Sequence, residues 1–181
     1  MRWDRLFEDL DAQWDADQQR QRHAEVADRT RRERALITLT DRLAAQQDPI
    51  EILLRSGRRL TGRLADLGSD FVVIADGPRR RLIPTSAIVQ YDGLTGQAAG
   101  PKQVRAIRRY TWGYALRALA RDRATIMIDD AAGRTLTGTI DAVGADFVDI
   151  VEHPADVSGR QREIRGRRTL PTTAVMCLST T

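Results

Sequence analysis

Cysteine occurs once in 181 residues, as Cys177, so no disulfide can close within the chain and a reducing compartment is its natural setting. Lying in an apolar strand pattern, Cys177 reads as a small buried hydrophobe rather than a nucleophile. No apolar run approaches the roughly eighteen residues that a membrane-crossing helix needs. Met1 leads straight into charges instead of an apolar signal core, and a soluble, cytoplasmic protein with no membrane partner is expected. Histidine is nearly absent too: His23 falls in a polar helical stretch and His153 beside Pro154 in a loop, and neither stands at metal-ligand spacing from the other or from Cys177. Carboxylates such as Asp17 and the Asp129-Asp130 pair lie in helical or turn sequence without a catalytic partner, and no glycine-rich loop opens a helix as a phosphate cradle would. These absences argue against an enzyme and call for no cofactor and no metal.

Lysine is limited to Lys102, against 28 arginines, a bias that fits a GC-rich genome. Formal net charge is +4, unevenly spread: residues 1–48 carry nine arginines against eleven acids, whereas residues 49–181 carry twenty basic residues against fourteen. The basic part is compatible with nucleic acid, and equally with a solvated mixed surface.

What the chain does contain is a repeat. Leu60-Thr61-Gly62 through Gly68-Ser69-Asp70-Phe71-Val72-Val73-Ile74 returns 76 residues later as Leu136-Thr137-Gly138 through Gly144-Ala145-Asp146-Phe147-Val148-Asp149-Ile150, with eight identities in fifteen positions. Upstream, Ile52-Leu53-Leu54 and Gly57-Arg58 align with Ile126-Met127-Ile128 and Gly133-Arg134, which makes the first turn of the second copy one residue longer. Downstream, Arg81 to Val89 align with Arg168 to Met176 at an offset of 87, so the second copy holds eleven extra residues, as a loop insertion would.

Taken in order, Trp3, Leu6, Phe7, Leu10 and Trp14 fall on one face of an amphipathic helix, followed to Arg34 by helix-forming but almost wholly polar sequence. Residues 1–38 thus form a helical leader. Thr40 to Gln47 reads as a short helix closed by Pro49, and period-two alternation then gives strands through Tyr91. Gly62 and Gly138 sit inside strands, which signals a sharp bend or a close backbone approach. Residues 92–110 form a linker that is glycine-rich at its start. Thr111 then caps a helix bearing Trp112, Ala115, Leu116 and Leu119, and the second set of strands follows. Its insertion, residues 152–167, carries Arg160, Arg162, Arg165 and Arg167, with Arg168 at the strand edge.

A helix followed by five short bent strands with this leucine and glycine spacing resembles the Sm/LSm family of small barrels. The matching residues are Leu54, Gly57, Leu60, Gly62, Leu64 and Asp70 in the first copy, and Ile128, Gly133, Leu136, Gly138, Ile140 and Asp146 in the second. The resemblance implies a mainly β fold with two tandem Sm-like, SH3-like five-stranded barrels, at residues 39–91 and 111–181, each preceded by a short helix and set behind the long N-terminal amphipathic helix. The chain departs from that family where an RNA-stacking residue and asparagine would stand, reading Gly68-Ser69-Asp70-Phe71-Val72, and the later Arg-Gly signature is replaced by Ile83-Pro84-Thr85-Ser86 and Leu170-Pro171-Thr172-Thr173. The opening Met1 to Leu10, with Ala115 to Ala124 and Glu152 to Asp156, also looks like a group of uncharacterised actinobacterial proteins loosely labelled Fis-type transcription regulators, although no helix-turn-helix pattern occurs in the repeats.

Two functions are compatible with this organisation. One is a non-catalytic RNA- or DNA-binding regulatory protein that contacts phosphates through Arg79, Arg80 and Arg81 and through Arg160, Arg162, Arg165, Arg167 and Arg168, with Tyr91, Tyr110 and Tyr114 as the few residues able to stack on unpaired bases. Aromatic residues at 5 % leave only a meagre stacking surface. The other is an interaction scaffold that recruits a protein partner through Trp3, Leu6, Phe7, Leu10 and Trp14, or that self-associates through that helix and strand edges.

Overall fold

A computed structural model describes residues 2–100, 110–154 and 165–180, with the backbone alone for residues 2–13, 15–17, 24 and 27. Contacts divide the chain into two compact units, Met1–Thr38 and Leu39–Thr181. The first is one helix, α1 (Arg2–Ala35), whose described side chains are almost all exposed. Exposed pairs one turn apart, such as Arg29 with Glu33 at 3.1 Å, run along it. No described helix is long and apolar enough to cross a membrane.

The second unit holds α2 (Leu39–Ala45), then β1 (Ile50–Leu54), β2 (Arg59–Leu67), β3 (Phe71–Asp76), β4 (Arg79–Pro84) and β5 (Ile88–Asp92). It continues with α3 (Trp112–Arg121), β6 (Thr125–Asp130), β7 (Thr135–Val143), β8 (Phe147–Glu152), β9 (Gly166–Pro171) and β10 (Val175–Thr180). Thr85–Ala87 and Thr172–Ala174 form single 3-10 turns before β5 and β10. The expectation of two five-stranded barrels behind a long helix is corrected here. The ten strands form one antiparallel sheet in the order β5-β1-β2-β3-β4-β10-β6-β7-β8-β9.

The physical reason lies at β4. A strand that ends a five-stranded set exposes a row of unpaired backbone groups. In this chain that row is taken up by β10, with Leu82 opposite Leu178 and Arg81 opposite Ser179. Met176 and Cys177, from β10, are then buried in the apolar cluster built on Ile50, Ile52, Leu54, Val72, Ile74 and Ile83. Conversely, Phe71 of β3 is buried with Trp112, Leu116, Ile126, Ile128 and Ile150. Each half therefore completes the other's core.

Within the sheet the repeat is carried residue by residue. Ile52 faces Leu60 as Ile128 faces Leu136, and Leu64 faces Ile74 as Ile140 faces Ile150, each of the latter pairs being followed by a bulge. The offset of 76 thus extends back through β1, and Ile128 corresponds to Ile52 rather than Leu54. The first turns are equal in length: Gly57 bonds back to Leu54 as Gly133 does to Asp130. Gly62 and Gly138 are close approaches. A Cβ on Gly62 would stand 2.6 Å from the Ala75 carbonyl oxygen, and one on Gly138 would overlap that of Val151.

The start of the linker is tied down. The Arg42 guanidinium donates to the carbonyls of Leu94 and Thr95 at 3.2 and 2.9 Å, the Gln46 amide donates to the Gly93 carbonyl at 3.2 Å, and the Ala99 N–H donates to the Asp41 carbonyl at 2.8 Å.

Candidate nucleic-acid interface

Strand geometry splits the arginine triplet of β4. Side chains alternate across a sheet, so Arg79 and Arg81 line a groove on one side while Arg80 lines a different one. The Arg81 guanidinium is mostly buried and lies 3.5 Å from Asp76. Arg79 and Arg80 have no ion-pair partner among the described residues.

The groove on the Arg79 and Arg81 side gains three arginines that the sequence reading missed. A hollow of about 570 Å³ is lined by Arg58, Arg59 and Arg63, with Gly62, Gly77 and Arg81. It adjoins a second of about 500 Å³ that shares Arg58 and Arg81 and adds Arg79. Arg59 and Arg63 are four residues apart on β2, a signal that period-two counting of basic residues along the strand would have found. Much of this charge is spent within the molecule: Arg58 pairs with Asp129, and Arg59 with Glu51 and, at 3.6 Å, with Asp92. Arg63 donates to the Gln47 carbonyl at 3.1 Å and has no carboxylate partner among the described residues.

The second basic cluster divides differently. Arg160 and Arg162 lie outside the described residues. Arg165 is exposed, and its N–H donates to the Glu152 carbonyl at 2.9 Å. Arg167 and Arg168 pair with Asp141 and Glu152, each at 3.2 Å. Since Arg123 also reaches Asp141 at 3.3 Å, this surface is a mixed ion-pair network rather than an uncompensated basic strip.

The three tyrosines separate as well. Tyr91 packs against the first-half core, its hydroxyl has no partner among the described residues, and burial pushes its phenol up to about 12, so it offers no stacking face. Tyr110 and Tyr114 are half exposed with ring centroids 5.2 Å apart at a tilt of 41°. Their position follows from the way α3 begins. The Thr111 hydroxyl caps the helix by accepting the Tyr114 N–H at 3.2 Å, the Asp70 carboxylate accepts the Trp112 N–H at 2.6 Å, and the Tyr110 carbonyl accepts the Ser69 N–H at 2.9 Å. Ser69 and Asp70 are thus occupied in holding α3. The tyrosine pair overlooks a largely apolar groove of about 400 Å³ floored by Phe71, Val73, Leu82, Leu119 and Leu178, with Arg80 and Asp66 at its margin.

Elsewhere, the side chains of Trp3, Leu6, Phe7 and Leu10 lie outside the described residues, while Trp14 on α1 is exposed. His23 is exposed on the same helix. His153 is buried: Nδ1 donates to the Pro154 carbonyl and Nε2 accepts the Thr139 hydroxyl, both at 2.8 Å. Cys177 is buried in the core, which, with Asp129 nearby, pushes its thiol up to about 12. Among the described residues no three histidine, cysteine or carboxylate side chains are placed to hold a metal. No protein-family model matches the chain, and no curated protein matches it.

Proposed function

We propose that the chain is a non-catalytic nucleic-acid-binding regulatory protein, RNA or DNA being its ligand, and that it engages single strands. The observation that supports this most is the exposed Tyr110–Tyr114 pair on the rim of an apolar groove, beside an Arg80 that has no ion-pair partner among the described residues. Exposed aromatic faces lie ready for unpaired bases, which stack at about 1–3 kcal/mol per base whatever their identity. Arg80 offers one phosphate contact next to the stack, and Arg63 and Arg79 offer two more in the hollows on the other side of β4.

Because most other described arginines are paired, few counterions are released on binding. Three phosphate contacts correspond to a salt slope of about −2 in log K against log salt for a single strand. Stacking supplies the remainder, and duplexes, whose bases are already stacked, bind less well.

The test is fluorescence anisotropy of labelled single-stranded RNA, single-stranded DNA and duplex DNA across a salt series. Wild type is compared with Tyr110→Ala/Tyr114→Ala, with Arg80→Ala, and with the five-arginine change at Arg160, Arg162, Arg165, Arg167 and Arg168. The double tyrosine variant is expected to weaken single-strand binding by about 10-fold or more, since one lost stack costs about 1–3 kcal/mol. Absence of single-strand binding at low salt, or binding indifferent to the tyrosines, sinks the proposal. Loss confined to the five-arginine variant moves the interface to the insertion.

A second reading, recruitment of a protein partner by α1, is favoured by exposed Trp14, an expensive residue to leave in water.

A further inference from the structure

The sheet register assembles the floor of the tyrosine groove from one row of side chains. Asp66 of β2 stands opposite Val73, Val73 opposite Leu82, and Leu82 opposite Leu178, and all four line the groove. Directly opposed residues share a face of the sheet, about 4.8 Å apart from strand to strand. The row is therefore apolar over β3, β4 and β10 and ends on a carboxylate at β2. In the second copy the corresponding row reads Ala142, Asp149 and Thr169, so a carboxylate at its outer end is not required by the fold.

Asp66 is exposed but held in place. Its Oδ1 accepts the Leu67 N–H at 2.8 Å, which orients the carboxylate, and its Oδ2 has no partner among the described residues. An ionised carboxylate has about four acceptor sites, so most of this capacity faces the groove unused. Arg80 lines the same groove and does not pair with Asp66. Two charges of opposite sign thus stand apart at the margin of one apolar groove, each left for a ligand.

A base lying over Val73 and against Tyr114 presents its edge to Asp66, and a carboxylate accepts hydrogen bonds but donates none. Guanine carries two adjacent N–H donors on its Watson–Crick edge, N1–H and the 2-amino group, which match the two carboxylate oxygens. Adenine and cytosine place a ring-nitrogen acceptor beside their amino donor, and uracil and thymine flank N3–H with carbonyl oxygens, so each sets a lone pair against the carboxylate. We infer that Asp66 makes this groove selective for guanine in single strands, while Arg80 contacts the phosphate beside it. The inference rests on the single-strand reading given above and adds a base preference that sequence-tolerant stacking does not supply.

The test is fluorescence anisotropy of the full-length protein with short labelled uracil strands that carry one guanine, hypoxanthine, adenine or cytosine at the centre. Hypoxanthine keeps N1–H and lacks the 2-amino group. Wild type is expected to bind the guanine strand about 10-fold tighter than the all-uracil strand, toward the low end for a bidentate contact because Asp66 is exposed, with hypoxanthine in between. Asp66→Asn keeps an acceptor for the Leu67 N–H and turns half of the head into a donor, so the guanine preference is expected to vanish and adenine or cytosine to gain. Circular dichroism checks that the variant is folded. Equal binding of all strands by wild type, or a preference that survives in Asp66→Asn, overturns the guanine inference and leaves the stacking proposal standing. Tighter binding of every strand by one common factor in Asp66→Asn shows Asp66 to be only a repelling charge and likewise overturns it. Absence of binding to any strand overturns both.

Discussion

Asp130 is the one buried carboxylate among the described residues, and its replacement gives a sharp test of how the second half is held. Its Oδ1 accepts the N–H groups of Ala132 and Arg134 at 2.9 Å each, and its Oδ2 accepts Arg134 Nε at 2.9 Å and Nη2 at 2.8 Å. Burial alone would raise its pKa, but the backbone and side-chain hydrogen bonds and the charge of Arg134, joined by the Ala132 N–H, outweigh it and leave the carboxyl below its ordinary value. A hydrogen bond to a charged acceptor contributes about 1.5–3 kcal/mol net. The Arg134 head is largely exposed, so the ion pair itself adds at most about 1 kcal/mol. Allowing for water reaching the freed turn, Asp130→Ala should cost about 3 kcal/mol, and Asp130→Asn, which keeps the Oδ1 acceptor, about 1 kcal/mol. In a chain of this size the alanine change lowers Tm by about 6–12 °C. The sign with pH follows from the lowered pKa. Stability from Asp130 is complete above the unfolded-chain value of about 3.9 and is lost as pH falls through the lower folded value. Urea unfolding of wild type and Asp130→Ala at neutral pH and again in acid should therefore show a gap that closes below about pH 4. A gap under about 0.5 kcal/mol at neutral pH, or one that persists unchanged in acid, refutes this account.

Glycine replacements should separate close approach from backbone conformation. Gly138→Ala, whose Cβ overlaps the Val151 carbonyl, should cost about 3 kcal/mol in urea unfolding, whereas Gly133→Ala, at φ +77° with open space around it, should cost about 1 kcal/mol. Cys177 should resist an aromatic disulfide reagent at pH values where free thiols react, and should yield one equivalent only on denaturation, because burial holds the thiol protonated. Tyr91→Phe removes a buried hydroxyl that has no partner among the described residues and should be neutral or stabilising by up to about 1 kcal/mol. Since the folded-state phenol is pushed up to about 12, wild type should lose stability as pH rises above the unfolded value of about 10, and Tyr91→Phe should be spared that loss.

The strands and the turns between them were legible because their signals are local. Alternation through Ile50, Ile52 and Leu54, turn glycines at Gly57 and Gly133, and the Pro84-Thr85 and Pro171-Thr172 steps each act over a few residues. Register was less legible. Matching Leu54 to Ile128 slides one copy by two residues, and a strand shifted by two keeps its apolar face, so hydrophobic pattern cannot object. Only the turn fixes it, and that turn hides an aspartate, Asp130, where the first copy has Leu54. The arginines misled for a related reason. A run such as Arg79-Arg80-Arg81 looks like one patch, but a strand sends neighbours to opposite sides, and the carboxylates that neutralise Arg81, Arg167 and Arg168 lie on neighbouring strands or further along the chain.

The joining of the halves was the least legible feature, because no residue pattern specifies which free edge a strand will meet, and it is the feature on which the candidate site depends. The apolar groove takes Phe71, Val73 and Leu82 from β3 and β4, Tyr114 and Leu119 from α3, and Leu178 from β10. Neither copy of the repeat holds that set. At the positions of the second copy that match Val73 and Leu82 stand Asp149 and Thr169, whose side chains bond each other at 2.6 Å. Single strands that stack at Tyr110 and Tyr114 therefore meet one such groove among the described residues, and titration with a short single strand should saturate at one strand segment per chain.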